Sequence, residues 1–249
     1  MSNVKQYPKT EKYDQSWIEK NWMGPNPLWL LEDLCEHLDL RPGMKVLDMG
    51  CGKGLTSVFL AKEYGVTVFA NDLWINATDN LRRFEEAGVA DKVFPIHAEA
   101  HALPYAEGFF DAAVAIDCYH YFGAGENYFP DVFSKLVKPG GRLGIVTPGL
   151  TREFPQGCPP AMKDLWIPEL YTFHSKEWWR NLWEKTGLCE ITACYNLPEP
   201  KAIWQPWADW AVVHFAEEYG EDDADFDQRF LKADTNGDIA LIGLVAKKN

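Results

Sequence analysis

The sequence contains no C-x-x-C pair. Its six cysteines, Cys35, Cys51, Cys118, Cys158, Cys189 and Cys194, are scattered over 249 residues. That pattern excludes the common zinc ribbon and redox dithiol and gives no disulfide framework, so the expectation is a reduced, cytoplasmic protein with no metal centre. No apolar run approaches the roughly 18 residues of a membrane span. The polar start, MSNVKQYPKTEKYDQSW, lacks the apolar stretch of a secretory signal. Basic residues are few: Lys plus Arg number 24 against 37 Asp plus Glu, a formal net charge of −13. Such a surface repels phosphate backbones, which disfavours a nucleic-acid partner, and no basic amphipathic stretch offers itself to a membrane. Repeats and low-complexity tracts are absent too.

What is present is a hydrophobic fraction of 47%, enough for a sizeable core in one α/β domain. Strand patterns fall at 46–48, 66–70, 92–96, 110–116 and 142–147, separated by helical patterns at 55–64, 75–87 and 128–137. Such alternation predicts a parallel sheet with helices on both faces. An amphipathic helix over 27–38 precedes this core. Residues 148–174 hold Pro148, Pro155, Pro159, Pro160 and Pro168 and read as a loop or lid. Ser175 is the expected cap of a helix running to Gly187. Further strands are expected at 188–197 and 238–246, with helices at 207–219 and 225–232. The division is a cap (1–43), a core (44–147) and a roof with closing strands (148–249), all within one domain.

The segment VLDMGCGKG (46–54) combines a strand end, a glycine turn and a helix start. Glycines admit close approach of a ligand to the backbone, and the helix start offers unpaired N–H groups. A dinucleotide fingerprint from Gly50 would need glycine at 55, which is Leu55; the third glycine is Gly54, giving G-x-G-x-G. Asp48, two residues before Gly50, suits a ligand end carrying an ammonium group better than a pyrophosphate. Asp72 ends the next strand, where an acid accepts from both ribose hydroxyls.

With these features the chain resembles the class I S-adenosylmethionine-dependent methyltransferases from about residue 45 to 146. VLDMGCGKG, FANDLW, IHAEAHALPYAEGFFDAAVAID and LVKPGGRLGIV match the family's successive motifs in order and at sensible spacing. The resemblance implies a Rossmann-like seven-stranded α/β sheet with the last strand antiparallel. It also implies S-adenosyl-L-methionine as cofactor and S-adenosyl-L-homocysteine as product. Asp48, Gly50, Cys51 and Gly52 would lie at the methionine part, and Asp117 close to it. Asp72 would bind the ribose, with Leu73 and Trp74 against the adenine. Glu99, where the family usually has Asp, would face the adenine amino group between Ala98 and Ala100. Capping of a neighbouring turn is the alternative for Asp48 and Asp117. WMGPN (22–26) is placed like the N-terminal cap of phosphoethanolamine methyltransferase-like enzymes, which would make Met23, Gly24 and Asn26 cofactor contacts. A plain turn opening a helix is the other reading.

Methyl transfer needs an aligned, desolvated acceptor, and a base only where the acceptor keeps its proton. In CYHYF the resemblance sets His120 facing the methyl group as the candidate base, with Tyr119 and Tyr121 next; packing is the competing role. His174 fits the Ser175 cap instead. The 11 tryptophans, all but Trp74 outside the shared core, suit either ordinary packing or aromatic walls around a flat or cationic acceptor. DTNGDI (234–239) starts like a calcium loop, but Ile239 replaces the needed glycine and Val245 the closing Glu, so it reads as a turn. EDDADFD (221–227) reads as a solvated helix start. The expected function is methylation of an N, O or S atom of a small molecule, an amine or an aromatic acceptor. The alternatives are a nucleic-acid or lipid-modifying enzyme of the same kind and a non-catalytic cofactor-binding module. The oligomeric state is left open.

Overall fold

The computed structural model describes residues 5–214 and 224–249. Seven strands form one sheet: β1 (Lys45–Met49), β2 (Thr67–Asp72), β3 (Val93–His97), β4 (Phe110–Ile116), β5 (Val137–Leu150), β6 (Cys189–Asn196) and β7 (Ile239–Lys248). Their order is β3-β2-β1-β4-β5-β7-β6. The pairs from β3 through β5 are parallel, while β7 runs antiparallel to both β5 and β6. Val46 and Leu47 on β1 and the run from Ala112 to Ala115 on β4 are wholly buried. That is the continuous apolar signature of parallel strands covered on both faces.

One face carries α2 (Pro27–Cys35), α3 (Leu55–Tyr64) and α4 (Ala77–Glu86), whose side chains join the larger core through Leu31, Leu34, Phe59 and Phe84. Pro27 stands in the first turn of α2, where its missing N–H costs nothing, and the Asn26 side chain caps the helix by accepting from Leu28 and Trp29 N–H. Buried Glu32 on α2 anchors the preceding segment by accepting from Lys9 N–H and from the N–H and hydroxyl of Thr10. The opposite face is covered by a π-helical turn (Phe129–Phe133), the short α5 (Ser134–Leu136) and α6 (Lys176–Glu184). Ser175 caps α6, its hydroxyl accepting from Trp178 N–H, as the sequence indicates.

Among the described residues, α1 (Gln15–Asn21) precedes α2, and α7 (Pro200–His214) and α8 (Phe226–Ala233) follow α6. Helix α7 starts seven residues before the predicted 207. Pro206 inside it forfeits one backbone hydrogen bond, yet burial of Ile203, Trp204, Trp207 and Ala208 holds the helix together around it. The rest of the predicted helix, 215–219, lies outside the described residues. The 234–239 segment is a turn as expected: the buried Asp234 carboxylate accepts from Asp238 and Ile239 N–H and pairs with Lys201 at the entry to β7.

Three tryptophans illustrate how the aromatic excess divides. Trp179 and Trp183 are fully buried beneath α6 against Tyr119, and Trp183 stacks on Phe129 at 4.4 Å. Trp22 is buried on the other face, edge-on to both Trp207 and Trp210. Replacing Trp183→Ala removes a large buried side chain from a packed cluster and is expected to lower stability by about 3–5 kcal/mol. Urea unfolding followed by circular dichroism measures the loss.

Candidate active site

The site forms at the carboxyl ends of β1, β2 and β4, where an open α/β sheet leaves a crevice. Between β1 and α3 the chain makes a turn in which Gly50, Gly52 and Gly54 have φ of +66°, +54° and +84°. A side chain at Gly50 would meet Cys118 Sγ at 2.5 Å, and one at Gly52 would meet Met23 Sδ at 3.1 Å. Glycine is therefore required there both by backbone conformation and by space. Asp72, at the end of β2, fixes the turn: one carboxylate oxygen accepts from Gly52 N–H at 2.7 Å, and the other accepts from Trp74 and Ile75 N–H. Asn80 of α4 reaches back to the Gly52 carbonyl at 2.9 Å.

This turn is one wall of a cavity of about 420 Å³, within the range of small-molecule sites. All the predicted site residues except Asp48, Asn26 and Tyr119 line it: Met23, Gly24, Gly50, Cys51, Gly52, Asp72, Leu73, Trp74, Ala98, Glu99, Ala100, Asp117, His120 and Tyr121. Met23 and Gly24 reach it because the link between α1 (Gln15–Asn21) and α2 crosses above the glycine turn and against the Asp117 carboxylate. Glu99 is held by His101, whose N–H and ring nitrogen contact its two oxygens at 2.8 and 2.7 Å. Leu73, Trp74 and Tyr121 stay exposed at the mouth, with Trp74 and Tyr121 edge to face at 5.5 Å.

The three exceptions have physical reasons. Asn26 is spent on the α2 cap, so it is a scaffold residue and not a wall of the cavity. Tyr119 turns to the opposite face of the sheet, buried among Phe133, Trp179 and Trp183, and has no access to the reacting atoms. Asp48 lies behind the turn, accepting from the Thr56 and Ser57 hydroxyls at 2.7 and 2.6 Å. These bonds tie the end of β1 to the first turn of α3 through side-chain hydroxyls. The second Asp48 oxygen, Oδ1, is buried with no partner among the described residues.

Asp117 sits in the left-handed region at φ +58°, costly for a residue with a side chain, and its N–H bonds to Val146 O at 2.8 Å. Burial, with a further push from the charge of Asp227, raises its carboxyl well above the usual range. His120 is buried, its Nδ1 3.4 Å from the Thr147 hydroxyl and its ring edge-on to Phe173. Burial drives its pKa down to about 3, so the imidazole is neutral, and protonating it at pH 7 would cost roughly 5 kcal/mol. That makes His120 a hydrogen-bond acceptor but a poor proton store.

The sequence reading missed the far wall. Ile167, Glu169, Leu170 and Phe173 come from 3₁₀ turns in the expected lid, Trp204 and Trp207 from α7, and Phe226 and Asp227 from α8. Of the acidic run 221–227, residues 221–223 lie outside the described residues. Asp227, predicted to be solvated, instead points into the cavity and accepts the Trp207 indole N–H at 2.6 Å. The correction follows from helix geometry: α8 packs on α7, which turns that side chain inward. The aromatic spacing of α7 was the one available signal.

Comparison with known proteins agrees with this geometry. Residues 46–141 match a family model described as a methyltransferase domain. The chain is 35% identical to methyltransferase GfsG of Streptomyces halstedii over 117 residues, 47% of this chain and 42% of that protein. It therefore spans less than half the length of the curated relatives it matches. The [4+2]-cyclase SpnF superposes with a TM-score of 0.72 at 21% identity, covering 88% of this chain and 80% of that one. Phosphoethanolamine N-methyltransferase 2 of Haemonchus contortus, solved with S-adenosyl-L-methionine, gives 0.72 at 19%, covering 99% and 60%. At such identities the superpositions establish the fold. Residues 46–141 thus resemble a methyltransferase domain, set within a fold shared with known methyltransferase structures.

The buried Asp48 makes a pH prediction. Burial raises its pKa to about 6, against the opposing Ser57 and Thr56 hydrogen bonds. The folded protein thus holds that proton more tightly than the unfolded chain, and stability falls as pH rises from about 4 to about 6. Asp48→Asn keeps an acceptor for both hydroxyls and abolishes this part of the slope. Urea unfolding of both proteins at pH 4 and 7 is expected to show the variant gaining on wild type by roughly 3 kcal/mol at the higher pH.

Proposed function

We propose that this protein transfers the methyl group of S-adenosylmethionine to a nucleophilic N, O or S atom of a small-molecule acceptor, leaving S-adenosylhomocysteine. The observation that carries this reading is the composition of the cavity at the carboxyl edge of the sheet. One end is backbone, glycine and carboxylate; the other is aromatic and acidic, drawn from segments outside the matched domain. The glycine turn presents bare backbone at the cavity wall, packed so closely that a Cβ would strike Cys118, Met23 or Phe84, and the orphaned Asp48 Oδ1 behind it leaves an acceptor for an ammonium group reached through water. These features fit the cofactor. In this reading Asp48, Gly50, Cys51, Gly52 and Asp117 attend its methionine part. Asp72 and the Leu73–Trp74 edge attend ribose and adenine, and Ala98, Glu99 and Ala100 the adenine amino side. Met23 and Gly24 close over it from the cap (1–43), and residues 148–249 supply the roof.

Bound there, S-adenosylmethionine supplies a methyl carbon already activated by positive sulfur, so no covalent nucleophile is needed from the protein. The chain's own work is to align the acceptor, exclude water and receive a proton where one is released. Phe173, Leu170, Trp204 and Trp207 exclude water from the acceptor end. His120, neutral and fixed beside Thr147, accepts a hydrogen bond from the acceptor and orients it. The six free thiols are consistent with a reducing, cytoplasmic setting.

Calorimetric titration with S-adenosylmethionine tests the cofactor, with NAD as the competing ligand. Wild type is expected to bind the former and ignore the latter, and Asp72→Ala to weaken binding at least about ten-fold, or 1.4 kcal/mol. Binding of NAD alone would overturn the reading. Once an acceptor is in hand, His120→Ala is expected to lower kcat by about 10- to 100-fold with cofactor affinity unchanged, as steady-state kinetics would report.

A further inference from the structure

We infer that the acceptor is a small organic amine that enters as its ammonium cation, and that Asp227, set against Trp207 and Trp204, is the residue that holds it. This rests on the methyltransferase reading above and narrows its acceptor.

The charge distribution around the cavity is one-sided. Asp72, Glu99, Asp117, Glu169 and Asp227 all line it, and Lys53 is the one lysine or arginine in its described lining. Asp72 is engaged by three backbone N–H groups, Glu99 by His101 and Asp227 by one indole N–H. Asp117 stands where the cofactor's methionine part meets the acceptor end, and Glu169 and Asp227 lie on the acceptor side. Asp117 and Asp227 are close enough for the charge of one to hinder ionisation of the other, and Tyr121 feels all three. A cation between them relieves that repulsion; a phosphate or carboxylate there would add to it. The acceptor end thus has the wrong sign for a phosphate-bearing substrate.

The walls agree with the charge. Trp204 and Trp207 border the same space as Asp227, and an indole face attracts an ammonium group. The position of Asp227 is built rather than incidental. Its carboxylate is anchored by the Trp207 N–H, and Trp207 is buttressed by Trp22 edge-on and Trp210 stacked at 5.5 Å. Burial raises the Asp227 carboxyl above its usual range, against the indole N–H groups of Trp207 and Trp204, which makes it a better proton acceptor than an exposed aspartate.

The chemistry balances on these groups. The ammonium gives one proton to the Asp227 carboxylate. The freed nitrogen lone pair forms the N–C bond to the methyl carbon while the C–S bond breaks, its pair remaining on sulfur. The products are a methylated ammonium ion, a neutral thioether and a protonated Asp227 that returns its proton to water.

The test uses the full chain saturated with S-adenosylhomocysteine, so that binding is read without turnover. Primary and secondary amines from butylamine to tryptamine are each paired with the neutral alcohol of the same shape, and affinities are read by calorimetry and tryptophan fluorescence. At least one amine is expected to bind ten-fold or more tighter than its alcohol. Asp227→Asn, which keeps an oxygen for the Trp207 N–H, is expected to erase that preference with affinity for S-adenosylhomocysteine intact, and Asp227→Glu to restore part of it. With S-adenosylmethionine in place of the product, mass spectrometry is expected to find the preferred amine heavier by one methyl group. Equal binding of amines and alcohols, or a preference that survives in Asp227→Asn, overturns the inference while leaving the cofactor reading standing. Failure of wild type to bind S-adenosylhomocysteine at all overturns both.

Discussion

The contact on which the carboxyl edge of the sheet depends is the hydrogen bond from Gly52 N–H to the Asp72 carboxylate. It ties the turn after β1 to the end of β2, two strands that are already paired in register from Lys45 with Thr67 to Met49 with Asn71. The other Asp72 oxygen holds the backbone of Trp74 and Ile75, so one side chain shapes both sides of the crevice. A carboxylate in that position collects donors that would otherwise be orphaned at a strand end and a glycine turn. Removing it would free the turn after β1 and the backbone of Trp74 and Ile75 at once.

The cavity is walled by two kinds of residue. Sheet-edge residues are fixed by backbone hydrogen bonds and by glycines that nothing else can replace. Roof residues are fixed by aromatic packing, as where Trp22 meets Trp207 and Trp210. Backbone geometry tolerates little change, whereas aromatic walls are remodelled by substitution at single positions. Such a division lets one fold, shared here with a [4+2]-cyclase at a TM-score of 0.72, carry different sites.

The centre of the sheet was legible because parallel strands buried on both faces leave continuous apolar runs, while β3 and β6 at its two edges are only part-buried and carry a weaker pattern. Glycine spacing and the acid after β2 were equally legible, being demanded by local geometry. What the sequence did not reveal depended on orientation. Tyr119, His120 and Tyr121 are consecutive, and no periodicity says that Tyr119 enters the core while its neighbours line the cavity. Asn26 carries the same signal whether it caps a helix or touches a ligand. Asp227 lies in an acidic run that looks solvated, and only the packing of α8 on α7 turns it inward. The start of α7 was placed at 207 rather than at Pro200, because the burial of Ile203 and Trp204 that carries the helix across Pro206 is not a local signal.

The position of β7 has a consequence for the order in which the molecule assembles. It lies between β5 and β6 although it follows both in the chain, with the whole roof intervening. Until it arrives, β5 and β6 each lack the ladder that β7 supplies, and an unpaired strand edge is the kind of surface that recruits neighbouring chains. During synthesis the nascent protein therefore passes through a stage in which the parallel half can form while the other half stays open. The ten residues of β7 close two ladders at once, so sheet completion is a late and cooperative event. Truncations or destabilising changes there would be felt as aggregation during production before they were felt as lost activity.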